Sequence, residues 1–242
     1  MRRSAPLAIA ILAFVASLVA MPHAGPLFAA MFPGTVPPVY DRGSFLALAV
    51  SQLMLVTLAV AAAVLCGGGA AILVTRPWGE AAGPLVSLIT KTGQSFPPAA
   101  VLALAVPAVG FGAAPTLLAL FLYGLLPITE NLLTGLRGVP APVLEAAAGM
   151  GFSPLRTLLF VELPLAWPQA FAGIRTAAVV ALGTATIGST VGALTLGTPI
   201  IDGLVTGKPG FVLQGAVPLA LLAVILEMLG NIMGGRKEGV LF

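Results

Sequence analysis

Few side chains in this sequence are equipped for chemistry, and most of those stand alone. His23 is the only histidine and Cys66 the only cysteine. A lone imidazole in a proline-rich stretch builds neither a metal cluster nor a Ser–His–Asp triad. A lone thiol excludes a disulfide framework and a multi-cysteine metal site. Cys66 lies among alanines and glycines with no cation nearby, the setting of a buried, inert thiol. The run Gly203-Leu204-Val205-Thr206-Gly207-Lys208-Pro209 imitates a phosphate loop. It has three residues between the glycines where four are needed, and Pro209 replaces the Ser or Thr that would meet magnesium. Gly67-Gly68-Gly69 lacks the strand and helix of a nucleotide fingerprint and reads as a place of close packing or a kink. No catalytic constellation and no metal site emerges.

What remains is polar chemistry inside apolar runs. An ionisable group in a membrane span costs about 2.5–3.5 kcal/mol on insertion scales and is a functional candidate by default. Glu130 and Glu227 qualify. Glu130, between Thr129 and Asn131, reads as a carboxylate snorkelling toward an interface, whereas Glu227 lies deeper and can pair with Arg175. A run of hydroxyls, Thr176, Thr184, Thr186, Ser189 and Thr190, is interleaved with Gly183, Gly188 and Gly192. The last two glycines are spaced for close helix packing. Tyr123, Glu130, Asn131, Thr184, Thr186, Ser189 and Thr190 are the candidates for the wall of a polar passage.

The elements that must carry these groups follow from composition. Hydrophobic residues make up 59% of the 242, charged residues 8%, and the mean hydropathy is +1.09. A soluble domain carries about 25% charge. This composition excludes an ordinary cytosolic enzyme, a nucleic-acid binder and a disordered regulator. The net charge is +3, and the basic bias is that of membrane-flanking loops. The fold class is all-α: a polytopic membrane protein of about six transmembrane helices. The predicted spans are 5–21, 45–74, 96–113, 115–136, 168–196 and 212–233, the third and fourth forming a tight hairpin. Residues 1–44 form an N-terminal span and an ordered external loop, 45–233 the transmembrane domain, and 234–242 a cytoplasmic tail. The first run also has features of a secretory signal, but its apolar core is longer than a signal requires, so a retained span is expected.

Arg2, Arg3, Arg76, Lys91, Arg137, Arg156, Arg236 and Lys237 flank one set of span ends, and only Arg42 and Lys208 the other. Basic residues favour the cytoplasm, which places both termini there.

The segment 138–164 is the most informative. Pro142 suits the first turn of a short helix, Glu145 lies near its positive dipole end, and Ala146, Ala147 and Ala148 are strong helix formers. Gly149 and Gly151 end it. Ser153 and Pro154 cap and open a second short helix, which Pro164 is expected to limit. From these residues alone, a helix for docking on another protein and a surface connector are equally good readings.

The pattern Glu145-Ala146-Ala147, then Gly151, then Val161 and Leu163-Pro164, resembles the EAA motif of ABC importer permeases, with Val161 standing where Ile is usual. The resemblance implies a type I ABC importer permease architecture and a coupling helix that docks in a cleft of the ATPase. Further stretches, Gln94-Ser95-Phe96-Pro97-Pro98, Val161-Glu162-Leu163-Pro164-Leu165, Ala172-Gly173-Ile174-Arg175-Thr176 and Gly183-Thr184-Ala185-Thr186-Ile187, are similar to the osmoprotectant branch, which moves glycine betaine, choline or carnitine. Thr75-Arg76-Pro77-Trp78-Gly79 and Thr195-Leu196-Gly197-Thr198-Pro199-Ile200-Ile201 look closer still to the short permease of the Yeh-type glycine betaine system. An acidic residue at Glu130 is not the branch's pattern.

The implied partners are a pair of ABC ATPase subunits, a second permease subunit (a different chain by the resemblance, with a second copy of this one the alternative), an external substrate-binding protein and membrane lipid. The implied cofactors, ATP and Mg, sit on the ATPase, so this chain is not itself an enzyme. Quaternary ammonium groups are held by aromatic cages. Trp78 and Trp167 read instead as interface anchors, and no cage is visible, so tight binding is expected on the separate binding protein. A permease for another small solute such as an amino acid, and a secondary transporter, are the rival readings.

Reporter fusions after Met21 and near Thr206 are expected to face outside, and fusions near Lys91, Arg156 and the C-terminus inside. An external C-terminus would overturn the orientation.

Overall fold

The computed structural model describes residues 4–234. Arg2, Arg3, Arg236, Lys237 and nearly all of the expected tail lie outside the described residues. Among the described residues every regular element is helical. The order is α1 (Ser4–Ala20), α2 (Gly25–Met31), α3 (Phe45–Val74), α4 (Gly83–Ser95), α5 (Pro98–Val109), α6 (Ala113–Arg137), α7 (Ala141–Gly149), α8 (Pro154–Thr157), α9 (Leu163–Gly188), α10 (Gly197–Thr206) and α11 (Pro209–Met233). Five stretches are long and apolar enough to cross a membrane: Ala5–His23, Phe45–Val74, Ala113–Arg137, Pro154–Val191 and Pro209–Met233. The pair Glu80–Ser95 and Pro98–Val109 is apolar enough for this only when taken together, and it is bent by 99° at its break.

That bent pair corrects the predicted third span. At 12 residues, α5 rises about 18 Å and cannot cross roughly 30 Å of hydrocarbon alone. The pair Pro97-Pro98 forces Phe96 into extended backbone (φ −85°, ψ 140°). The prolines therefore sit at a bend between two short helices, where the sequence places the edge of a span. The turn from α5 to α6 is made by Gly110 (φ +80°) and Gly112 (φ +109°), and Pro115 already lies in α6.

Pro164 does not end the second short helix. The chain runs as one helical rod from α8 into α9 through a π turn at Leu158–Glu162. In a regular α-helix a proline loses a bond and clashes with the carbonyl four residues back. Here the Leu163 N–H reaches back to the Leu158 carbonyl, so the bonding is already shifted when Pro164 arrives. Two further helices, α2 and α10, occupy stretches expected to be loop.

The bundle is organised by α6 and α9, which lie antiparallel with small residues between them. A Cβ on Gly188 would come within 2.5 Å of Thr116. On Gly173 it would come within 2.5 Å of the Pro127 carbonyl oxygen, and on Gly135 within 2.9 Å of the Ala166 carbonyl oxygen. Thus Gly188 does pack closely, but Gly192 (φ +87°) lies beyond the helix as its left-handed stop, so the two glycines do not form one helical face. On the other side of α6, Gly124 faces Ala63 of α3, and Gly67 lies where a Cβ would be 2.7 Å from the Thr129 hydroxyl.

Three glutamine side chains bond backbone groups at breaks or across helices. Pro127 has no N–H for the Tyr123 carbonyl, and the Gln94 amide donates to it instead (2.7 Å). Fully buried Gln52 accepts from the Leu196 N–H and donates to the Leu182 carbonyl. Gln214 does the same for the Tyr40 N–H and the Pro38 carbonyl (2.8 Å each). That end of the molecule is further tied by the Arg42–Asp202 ion pair (3.1 Å) and by Lys208 donating to the Val36 carbonyl. Burial, with Asp202 adding to it, pushes the Tyr40 phenol above its usual range.

Gly173→Ala is expected to destabilise the folded chain by about 1–3 kcal/mol, the usual cost of overpacking, because backbone is what it would meet. Gly69→Ala, where a Cβ meets nothing within 4 Å, is expected to be neutral or stabilising. Thermal unfolding of the two purified variants checks the contrast; equal melting temperatures would refute the tight α6–α9 approach.

Candidate functional site

The loop 138–164 is inserted directly between α6 and α9. Gly138 closes α6 by donating to the Thr134 carbonyl (2.9 Å), and Pro140 precedes α7. At the far end of α7 the Phe152 N–H bonds to the Ala147 carbonyl (3.1 Å) and the Gly151 N–H to the Ala148 carbonyl (2.9 Å). This is a Schellman cap with Gly151 at its left-handed position, φ +78°. Ser153 then caps α8, accepting from the Arg156 N–H (3.4 Å), and the Arg156 guanidinium lies 4.5 Å over the Phe152 ring. The helix is thus stopped, turned and restarted within four residues.

On α7 only Ala147 is buried, while Glu145 and Ala146 are exposed. Val143, Met150 and Leu155 are exposed as well, Met150 at 68%. Val161 and Leu163 are half-buried in and beside the π turn, and Pro164 is exposed.

Beneath α7 sits a group to which the sequence reading gave no role. Glu162, only 8% exposed, receives two hydrogen bonds from Arg76, one at 3.3 Å and one shorter. Arg76 follows the last turn of α3, and its guanidinium also donates to the Thr75 hydroxyl. Pair and loop share a cavity of about 380 Å³ with Leu136, Arg137, Val139 and Leu144. A signal was present: an acid framed by Val161 and Leu163, and an arginine at the end of the longest apolar run. Spacing alone could not show that they meet.

The predicted passage residues are scattered. Thr184 is buried and bonds its own helix at the Val180 carbonyl; Thr186 does so at Leu182. Ser189 shares a hydroxyl network with Thr195 (2.7 Å) and Thr198 (3.3 Å) that stabilises the break before α10. Tyr123 is buried and donates to the Phe96 carbonyl at the α4–α5 bend. Asn131 bonds the Pro127 carbonyl (2.7 Å). Glu130 faces a separate cavity of about 430 Å³ lined also by Glu80, Lys91 and Arg137. Only Thr190 is exposed. It continues an exposed stripe on α9 of Ala172, Thr176, Val179 and Gly183, which the sequence reading did not isolate.

Beside this stripe Arg175 and Glu227 form an ion pair, with Asn231 accepting from the same guanidinium (2.9 Å). Glu227 is 50% exposed at its side chain. A charge so exposed within a span faces water or another polypeptide rather than lipid. By contrast α1 and α3 expose Ile9, Leu12, Leu46, Met54 and Leu65, a surface suited to hydrocarbon.

An all-helical multi-pass bundle that presents a rigidly capped helix outside its spans, and a weakly polar stripe within them, is the membrane subunit of a transport machine. The chain belongs to the family of binding-protein-dependent transport system inner membrane components, which matches residues 63–238. It is 40% identical over 185 residues to the osmoprotectant import permease protein OsmY of Salmonella typhimurium, covering 76% of this chain and 78% of that one. It is 39% identical over 148 residues to the choline transport system permease protein OpuBB of Bacillus subtilis, covering 61% and 68%. An inward-facing structure of the MetNI methionine ABC transporter shares the fold, with a TM-score of 0.65 and 21% identity over 76% of this chain and 91% of that one.

If the α9 stripe borders water, Thr176→Cys and Thr190→Cys are expected to react with a membrane-impermeant polar thiol reagent in a Cys66→Ser background. Thr184→Cys is expected to stay unlabelled. Labelling confined to position 184 would reverse the assignment of faces.

Proposed function

We propose that this chain is the permease subunit of an ATP-driven ABC importer for an osmoprotectant, a small quaternary-ammonium solute of the glycine betaine, choline and carnitine group. The names of its relatives support the solute class. The observation that carries the mechanism is the geometry of α7. A short helix, stopped by a Schellman glycine, offers Glu145, Ala146 and Met150 outward, away from the spans.

In this reading α7 docks on an ABC ATPase, and a second permease chain supplies the other half of the pathway. A binding protein delivers solute on the side of Arg42 and Lys208. ATP and its magnesium are held by the ATPase pair. Their closure pulls on α7, the permease opens outward to accept solute, and hydrolysis resets it inward. The α9 stripe, small and hydroxylated, offers a zwitterion contact without a deep well, so solute is released and not retained. Both termini lie in the cytoplasm, and the membrane is the bacterial inner membrane.

Uptake of labelled glycine betaine, choline and carnitine by cells carrying the complete system tests the solute class; uptake of none of the three would defeat it. Gly151→Asp is expected to abolish uptake while the protein still inserts. A side chain at φ +78° strains the cap by about 1 kcal/mol, and a carboxylate opposes the negative end of the α7 dipole. Normal uptake by a well-expressed Gly151→Asp variant would show that α7 is only a connector.

A further inference from the structure

The rod from α8 through the π turn into α9 is the downstream arm of the coupling loop, and α6 is the upstream arm. Their close packing explains how motion of α7 reaches those two spans. α3 packs along α6, and its end shares an apolar cluster, Ala71 and Ile72 with Leu158, Leu163 and Ala166. The directional, charged contact at this junction is Arg76–Glu162. Glu162 is the last residue of the π turn, and Arg76 is the second residue past the end of α3.

The pair is built with care on both sides. The Thr75 hydroxyl bonds the Ile72 carbonyl (2.7 Å) and accepts from the Arg76 Nε (3.3 Å), which aims the guanidinium. The turn then folds back so tightly that a Cβ on Gly79 would lie 2.0 Å from the Leu73 carbonyl oxygen. On the other side, a π turn is a local widening of a helix, often at functional positions, where one residue more or less can be absorbed. A two-bonded, nearly buried ion pair at such a turn fixes it to a second helix.

We propose that Arg76 and Glu162 are a positioning pair that locks the coupling segment to α3, so that α3, the π turn and α7 move as one body when the ATPase pulls. This rests on the transport reading above and adds a residue-level transmission element to it. Neither residue touches solute or nucleotide. Uncharged replacement should therefore leave ATP hydrolysis running while the membrane helices no longer follow it.

The test uses the whole transport complex in lipid nanodiscs or proteoliposomes. Spin labels go on native Cys66, exposed on α3, and on Ala141→Cys, exposed at the start of α7. In the otherwise native chain the distance between labels is expected to stay constant on trapping with ATP and vanadate. In Glu162→Gln it is expected to change by several ångströms, and solute moved per ATP to fall at least about tenfold. The exchange Arg76→Glu with Glu162→Arg is expected to restore both readouts, and Arg76→Lys, lacking the two-pronged geometry, only part of them. Label distances and coupling ratio in Glu162→Gln equal to those of the unaltered pair would overturn the proposal. So would a defect that the exchange leaves in place, since that marks mere loss of folding. An unaltered complex that hydrolyses ATP without taking up any osmolyte counts against the solute assignment alone, because the label distances need no solute to decide the lock.

Discussion

The structure depends on how closely α6 and α9 approach. Three contacts, at Gly188 with Thr116, Gly173 with Pro127, and Gly135 with Ala166, bring backbone against backbone or methyl along their whole length. In hydrocarbon there is no solvent-driven force between helices, and close van der Waals contact between small residues is the main source of affinity. Because the loop carrying α7 is inserted between these two helices, their contact also sets where α7 stands. A force on α7 acts on a pair of helices that can hardly separate.

Several breaks in the bundle are compensated by side chains. Pro127, the Pro97-Pro98 pair and the left-handed Gly192 each leave backbone groups without helical partners, in surroundings where water is scarce. Gln94 binds at the gap left by Pro127 and Tyr123 at the α4–α5 bend, while Gln52, Ser189, Thr195 and Thr198 bind at the break after α9. Non-helical backbone at membrane depth is tolerated only where it is buried in protein in this way. Several hydroxyls that look like passage lining in the sequence are spent on this task.

Charge is used at two levels of α9. Arg76–Glu162 joins its root to α3, and Arg175–Glu227 joins its middle to α11 beside the exposed stripe. The first is nearly sealed from solvent, as suits a fixed joint. The second leaves Glu227 half open, as suits a surface met by water or a second subunit.

The class of the protein was legible because composition and spacing encode it locally. An apolar run of spanning length has few alternatives in lipid, and Pro142, Gly151, Ser153 and Pro154 each dictate a backbone state by their own covalent structure. The positions of α1, α3, α6 and α11, and the start and stop of α7, therefore followed from sequence. The path of the chain between α3 and α6 did not, because Pro97-Pro98 is equally compatible with the edge of a span and with a bend between two short helices. Pro164 misled for the converse reason: a π turn set by its neighbours removed the clash that would have stopped a helix. Which hydroxyls face outward on α9, and which acid meets which arginine, depend on helix rotation and packing partners far apart in sequence. Glu162 is 86 residues from Arg76, and no local rule relates them. Only the tertiary arrangement, set by the glycine contacts of α6, brings those two together.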